Sequence, residues 1–248
     1  MLMDIYVLER IRKSMDLTED LLSSGELIVE GRLVDASNAT LFGRVQFSID
    51  SHCSVVYKPI AGERPLWDFP DGDLASREVA AYLLSENSGL SCVPITVMRD
   101  GPFGPGAVQQ WIEIDEAIDF ISFAQQDHPA IRRLALFDVI INNTDRKFGH
   151  VLIDASSNVV GCDHGVSFHE DYKLRTVLWQ FAGKQLTEAE RAITVTTRDW
   201  ITGKDGAYFR SLLTQSEVEA CCSRIDMVLE DGFPYPSEDW PSIPWPPV

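Results

Sequence analysis

Apolar residues follow a helical period near the start of the chain. Over residues 4–24 they recur at helical spacing, Thr18 is a candidate N-cap, and Gly25 ends the segment. This spacing predicts two short helices. The period then changes to alternation, which is typical of strands. Three alternating segments joined by polar turns predict an antiparallel meander over Glu26–Glu30, Val45–Ile49 and Ser54–Lys58.

The middle of the chain combines one helix with two further strands. Residues 59–74 are rich in proline and glycine and predict a long loop, whereas Leu74–Glu86 has the apolar spacing of a helix. Val93–Met98 and Ala107–Ile112 alternate on either side of a turn over 100–106. We therefore expect a second strand pair in this region.

Helical spacing dominates the second half of the chain. It predicts helices over Ile114–Gln125, Ala130–Ile141, 187–197 and 206–230, interrupted by a strand pair over Val151–Ile153 and Val159–Gly161. A β-rich part followed by an α-rich part is typical of the α+β class. We predict a single domain over residues 1–248, with an N-lobe of about 1–110, a C-lobe of about 111–230 and a tail.

The tail, residues 231–248, is rich in proline and tryptophan, and this composition excludes a helix. Exposed aromatic rings are costly in a soluble monomer. We therefore expect Trp240 and Trp245 to hold the tail against the chain's own surface. Anchoring a partner is the alternative.

The charge balance narrows the classes of partner. The 248 residues include 21 Lys and Arg against 38 Asp and Glu, a net charge of −17. Such a chain repels nucleic acids and anionic lipid surfaces, so we expect neither as a partner, and we expect a monomer. The sequence contains neither a membrane-spanning apolar run nor a secretory leader. Its five cysteines lack metal-ligand spacing, and together these features predict a cytoplasmic protein with reduced thiols.

Two acidic loops flank the predicted strand pair in the second half. A hydrophobic helix ends in a polar loop that contains Asp145, and the partner strand ends at Asp163-His164-Gly165. Phosphoryl transfer uses two such carboxylates, one for the attacking hydroxyl and one for the metal that bridges the phosphates. Each motif alone is more often an ordinary turn or hairpin end. Their order on one strand pair favours catalysis.

The first half contains residues that fit the same chemistry. Lys58 ends the third strand of the meander, where its ammonium group would meet phosphates, and Glu78 on the following helix would hold it as an ion pair. The first two strands are joined by a turn with backbone amides and hydroxyls that would cover phosphates, Ser37, Asn38, Ala39 and Thr40. A solvated lysine, an exposed helical acid and a plain turn are the alternatives for these positions.

Five segments of the chain resemble the phosphatidylinositol 3-/4-kinase superfamily, most closely the type II phosphatidylinositol 4-kinases. They are YKPIAGERPLWDF, SREVAAYLLSE, VPITV, NNTDRKFGHVLI and CDHGVSF. Together with DASNATLFGRV and the IPWPP ending, they are similar to a mainly actinobacterial family distantly related to those kinases. The resemblance covers about residues 26–170. It implies a bilobal protein-kinase-like fold with a catalytic β-hairpin, and ATP with Mg²⁺ or Mn²⁺ as cofactor.

The resemblance also implies a role for individual residues. By this resemblance Lys58 contacts phosphates, Glu78 positions Lys58, Asp145 is the catalytic aspartate and Asp163 binds the metal. The hinge that faces adenine would consist of Gln110, Trp111 and Ile112.

One position departs from the kinase pattern and leaves the function open. His150 stands five residues after Asp145, where kinases have a metal-binding asparagine. Because Mg²⁺ prefers oxygen ligands, this imidazole would favour Mn²⁺, leave a single metal, or only donate a hydrogen bond. We predict a kinase that phosphorylates a hydroxyl of a protein or small molecule. A catalytically weak ATP-binding module and an AMP transferase are the alternatives.

Overall fold

The computed structural model describes residues 18–33 and 38–248. The earlier of the two helices predicted over residues 4–24 and the candidate ATP residue Ser37 lie outside the described residues. Internal contacts divide the chain into two compact units. The first consists of Ile95–Trp111 and the described part of Met1–Arg64, and the second of Pro65–Pro94 and Ile112–Val248.

The first unit is a five-stranded antiparallel sheet with strand order β1-β2-β3-β5-β4. Its strands are β1 (Glu26–Arg32), β2 (Leu41–Ser48), β3 (Ser51–Pro59), β4 (Thr96–Gly101) and β5 (Gly104–Gln110). The meander predicted for β1 to β3 is confirmed. A short helix, α1 (Glu19–Ser24), precedes the sheet, and the Thr18 side chain caps it as predicted by accepting the Leu21 N–H.

Alternation along the strands buries one face of this sheet. Leu22 of α1 packs there against Val45, Val55, Tyr57 and Val108. The register places Lys58 of β3 opposite Ala107 of β5, beside Gly106. A side chain at Gly106 would collide with the Lys58 carbonyl oxygen, so the close approach of these strands requires glycine.

The strand pair β4-β5 is shifted along the sequence from its predicted position. We expected strands over Val93–Met98 and Ala107–Ile112, but the ladder continues until Gly101 pairs with Gly104. The turn between the strands is therefore tight and leaves no room for the longer loop predicted over 100–106.

The second unit contains the remaining helices and the short hairpin. The helices are α2 (Leu74–Ser88), α3 (Phe120–Ala124), α4 (Pro129–Ile141), α5 (Glu188–Thr202), α6 (Ala207–Ser211) and α7 (Gln215–Asp231). Strands β6 (Val151–Ile153) and β7 (Val159–Gly161) pair antiparallel, as predicted. Helix α2, which carries Glu78, belongs to this unit although it precedes β4 in sequence. None of the described helices is long and apolar enough to cross a membrane.

The helix predicted over Ile114–Gln125 is much shorter in the structure, where only α3 is helical. The Asp115 backbone N–H donates to the Ile153 carbonyl, so this segment joins the hairpin instead of continuing as a helix. The Asp119 side chain then accepts the Ser122 N–H and starts the helix there. Aspartate competes for backbone donors in this way at caps and turns.

The helix predicted over 206–230 is two helices, α6 and α7. Thr214 interrupts it, because its side chain accepts the Glu217 N–H while Glu217 accepts the Thr214 N–H. This reciprocal capping box begins a new helix. Glu217 also forms a buried ion pair with Arg77 of α2, in which the atoms Nη2 and Oε1 are 2.6 Å apart.

Candidate active site

Helix α4 ends at an asparagine that turns the chain into the loop of Asp145. Asn142 has a left-handed backbone conformation (φ 54°), which asparagine tolerates better than most residues. Its buried side chain donates to the carbonyls of His169 and Asp171 and accepts the Lys173 N–H at 2.9 Å. These three bonds fix the start of the loop to the segment that follows the hairpin.

The backbone of Asp145 is held by its neighbour Asn143. The Asn143 side chain donates to the Asp138 carboxylate on α4 at 3.0 Å, and its oxygen accepts the Asp145 N–H at 3.0 Å. Asn143 is fully buried, whereas the Asp145 side chain is partly exposed. The position of the candidate catalytic carboxylate therefore depends on a buried polar network.

Arg146 is the centre of that network and links both acidic loops. Its guanidinium group pairs with the Asp138 carboxylate at 2.9 Å and donates to the carbonyls of His150 and Cys162. Neither Asp138 nor Arg146 has any exposed side chain. Burial alone lowers the pKa of Arg146, but the charge and hydrogen bond of Asp138 raise it above its usual value. The arginine is therefore charged, and it joins the residues just before Asp163 to those after Asp145.

The same guanidinium determines the protonation of His164. Arg146 Nη2 lies 2.6 Å from His164 Nε2, and because arginine only donates, this ring nitrogen must be the acceptor. The proton of the neutral ring is therefore on Nδ1, which lies 4.0 Å from the Glu78 carboxylate on α2. Glu78 is buried. Through His164 this predicted site residue contacts the Asp-His-Gly segment, which belongs to the same unit.

The side chains of Asp145, His150 and Asp163 lie close together in the structure. One ligand atom from each lies within 4.8 Å of the others. His150 Nδ1 is 2.9 Å from the Asp145 carbonyl oxygen, and His150 Nε2 is 3.5 Å from Asp163 Oδ2. The carbonyl can only accept, so Nδ1 carries the proton and Nε2 of the neutral ring offers its lone pair beside Asp163.

The surroundings shift the pKa values of this group. Burial raises the pKa of Asp145 above the usual value for aspartate, although Lys147, with Nζ 3.4 Å from the carboxylate, opposes the shift. Burial likewise lowers the pKa of His150, against the attraction of Asp163. The lowered pKa of His150 favours the neutral imidazole that metal binding requires. The raised pKa of Asp145 makes its carboxylate more basic than usual.

Two of these side chains, Asp163 and His150, fit a divalent cation. Their carboxylate and neutral imidazole form a mixed oxygen and nitrogen donor set, which suits Mn²⁺ better than Mg²⁺. Asp163 has a left-handed backbone (φ 60°), and half of its side chain is exposed (51%). The Asp163 carboxylate is therefore accessible from solvent.

Lys58 and the turn before β2, which carry candidate ATP residues, belong to the first unit. Lys58 is half-buried near the end of β3. In the turn before β2, Ala39 N–H donates to the Gly62 carbonyl, Thr40 N–H to the Asn38 carbonyl, and the Asn38 side chain accepts the Arg64 N–H. Because the amides of Ala39 and Thr40 already have partners, phosphate contacts from this turn stay a prediction. The ion pair of Lys58 with Glu78 also stays a prediction.

The predicted hinge begins at the end of β5. Gln110 N–H donates to the Ile95 carbonyl and Trp111 N–H to the Ser54 carbonyl, and the Trp111 ring meets Phe42 edge-on at 5.2 Å. Gln110 and Trp111 belong to the first unit and Ile112 begins a segment of the second. Their role toward adenine stays a prediction.

Sequence reasoning missed the buried polar network around Arg146. One signal was available, because Asp138 is the single acid within the apolar run of α4, and a buried charge requires a partner. The partner itself was not evident from spacing, since Arg146 lies next to Asp145 in a loop that contains other charged residues.

Comparison with solved structures shows which fold the chain shares. The chain matches a structure of hydra Fam20 with a sugar, with a TM-score of 0.59, 14% identity and 86% of each chain covered. It also matches a structure of the Golgi casein kinase, with a TM-score of 0.51 and 13% identity over 90% of this chain and 74% of the other. The protein has a kinase-like α+β fold, as predicted.

Comparison with curated sequences then gives the family. The chain is 37% identical over 273 residues to protein Rv2133c of Mycobacterium tuberculosis, and the match covers 94% of this chain and 97% of the relative. The chain therefore belongs to the family of Rv2133c. No protein-family model matches it. The resemblance to phosphatidylinositol 3-/4-kinases stays a prediction.

Proposed function

We propose that the protein is an ATP-dependent phosphotransferase that moves the γ-phosphate to a hydroxyl group of a protein or small molecule. One observation carries the proposal. Within a kinase-like fold, Asp145 and His150 precede the hairpin, Asp163 follows it, and their ligand atoms lie within 4.8 Å of one another. Ordinary turns and hairpin ends do not require this convergence of two carboxylates. Phosphoryl transfer does.

In this proposal Asp145 acts on the acceptor. Its carboxylate orients the attacking hydroxyl and accepts its proton, a role supported by a pKa above the usual aspartate value. Lys147 Nζ lies 3.4 Å from the Asp145 carboxylate, and its positive charge limits the rise of the Asp145 pKa. Asn143 and Arg146 hold the backbone on either side of it.

Asp163 and His150 would hold the divalent cation. A bound Mg²⁺ or Mn²⁺ supplies positive charge that neutralises the phosphate oxygens. Lys58 would contact the phosphates, Glu78 would position Lys58, and Gln110, Trp111 and Ile112 would face adenine. This assignment follows the resemblance of the sequence to kinases.

Two radiolabels test the reaction. The protein is incubated with a cell extract and ATP labelled either at the γ- or at the α-phosphate, with Mg²⁺ or Mn²⁺. We expect metal-dependent transfer of the γ-label alone, and none after Asp145→Asn. Transfer of the α-label would identify an AMP transferase. Transfer of neither label, together with metal-dependent ATP binding, would identify a nucleotide-binding module without phosphotransferase activity.

A further inference from the structure

The proline- and tryptophan-rich tail lies on the loop of the candidate catalytic aspartate. The Phe148 N–H, three residues after Asp145, donates to the Pro247 carbonyl at 2.8 Å. The Ser242 carbonyl accepts both the Thr176 N–H at 3.0 Å and the Trp179 Nε1–H at 2.8 Å. The tail thus contacts two segments that border Asp145.

Trp240 adds a side-chain contact between these backbone bonds. Its ring centroid lies 5.4 Å from the Arg175 guanidinium carbon and 5.5 Å from Lys173 Nζ, within the range of cation–π attraction. Its Nε1 is buried and has no hydrogen-bond partner among the described residues. The face of the indole ring, not its N–H group, therefore makes the contact.

Arg175 connects Trp240 to the loop of Asp145 through hydrogen bonds. Its Nε donates to the Thr144 carbonyl at 2.8 Å, one residue before Asp145. Its backbone N–H donates to the Asn143 carbonyl, and its carbonyl accepts the Arg146 N–H. Arg175 therefore bonds to the residues on both sides of Asp145, and Trp240 covers its guanidinium group.

We propose that Trp240 is a positioning residue of the phosphoryl-transfer reaction, which holds Arg175 and through it the loop of Asp145. The inference rests on the proposed function and goes beyond it, because it assigns a role to a tail far from the kinase motifs in sequence. Displacement of a catalytic group by about 1 Å can lower a rate about 100-fold. A loop held from several sides avoids such a displacement.

The tail has an independent attachment, so loss of the Trp240 ring would leave it in place. Phe233 is buried (4% exposed), exchanges backbone hydrogen bonds with Gly183 and Lys184, and lies under the Arg132 guanidinium group at 4.7 Å. We therefore expect Trp240→Ala to fold. Trp245, in the same tail, is 88% exposed and provides a matched control.

Three variants of the full chain test the inference: Trp240→Ala, Trp240→Phe and Trp245→Ala. We expect Trp240→Ala to lower kcat about 10- to 100-fold with the KM for ATP unchanged, because its contacts lead to the acceptor side of the site. Trp240→Phe keeps a ring face and should retain most of the turnover. Trp245→Ala should behave like the parent.

Amide hydrogen exchange provides a readout that does not depend on activity. Trp240→Ala should accelerate exchange at Arg146 and Thr176, and Trp245→Ala should not. Equal turnover of the two alanine variants in an active enzyme would overturn the inference, as would a loss of kcat without faster exchange at these amides. If the parent turns over no ATP with either metal, the proposed function itself fails, and the positioning role fails with it.

Discussion

His150 follows Asp145 by five residues, the spacing at which kinases have a metal-binding asparagine, and its two ring nitrogens have different partners. Nδ1 donates to the Asp145 carbonyl, and Nε2 faces Asp163. Asparagine could keep the first contact, since its amide N–H₂ would donate to the carbonyl, and its oxygen is the type of ligand that Mg²⁺ prefers. We therefore expect His150→Asn to increase turnover with Mg²⁺ relative to Mn²⁺.

Steady-state assays with each metal measure this preference. His52→Asn makes the same chemical change at an exposed position of β3 and should leave the preference unaltered. An unaltered preference in an active His150→Asn enzyme would show that His150 is not a metal ligand.

Asp163 allows a second test of the proposed metal site, through the binding of ATP. Its carboxylate is the expected link between protein and metal-bound phosphate, so Asp163→Ala should abolish the metal-dependent part of ATP binding. Thermal shift with ATP and Mg²⁺ or Mn²⁺ measures this part as an increase in Tm. Asp171→Ala, which removes a carboxylate that is 76% exposed, is the control. Equal stabilisation of the Asp163→Ala and parent proteins would remove Asp163 from the metal site.

At the scale of elements, the Asp138–Arg146 pair joins α4 to the loop of Asp145. Removing one partner of a fully buried ion pair leaves an uncompensated charge, which typically costs about 3–5 kcal/mol of unfolding free energy. We expect a loss of this size for Asp138→Ala in urea unfolding. Asp226→Ala removes a carboxylate from another helix, where Asp226 pairs with Arg198 on the surface.

Such exposed pairs contribute about 0–1 kcal/mol, so the control should be nearly neutral. Similar losses in the two variants would mean that the buried pair does not fix the loop to α4.

The elements that sequence reasoning predicted well are those with clear local signals. Thr18 caps α1, and alternation defines β1 to β3. The errors in the helices occurred where side chains compete with the helix, since Asp119 and Thr214 each start a helix inside a segment predicted to be continuous. Helical periodicity describes which face is buried, but it does not record such local hydrogen bonds.

At the scale of the whole molecule, the order of a β-rich and an α-rich part predicted the α+β class, and the resemblance to kinases predicted the kinase-like fold. Two short apolar segments around a turn predicted the hairpin between Asp145 and Asp163. The predicted hold of the tail on the chain's own surface is confirmed for Trp240, whereas Trp245 points to solvent. The bond of Arg146 to the Cys162 carbonyl and the bond from the Phe148 N–H to the Pro247 carbonyl were not predictable, because they join residues distant in sequence through backbone carbonyls. No residue type marks a carbonyl partner.

In the proposed phosphoryl transfer Asp145 acts on the acceptor hydroxyl, and the Asp145→Asn variant isolates this role. The substitution keeps the shape of the side chain but removes its ability to accept a proton. The measurement compares γ-phosphate transfer with metal-dependent ATP binding in the same preparation. We predict a loss of transfer of about 100- to 10,000-fold with ATP binding nearly intact. Transfer equal to that of the parent protein would contradict the account.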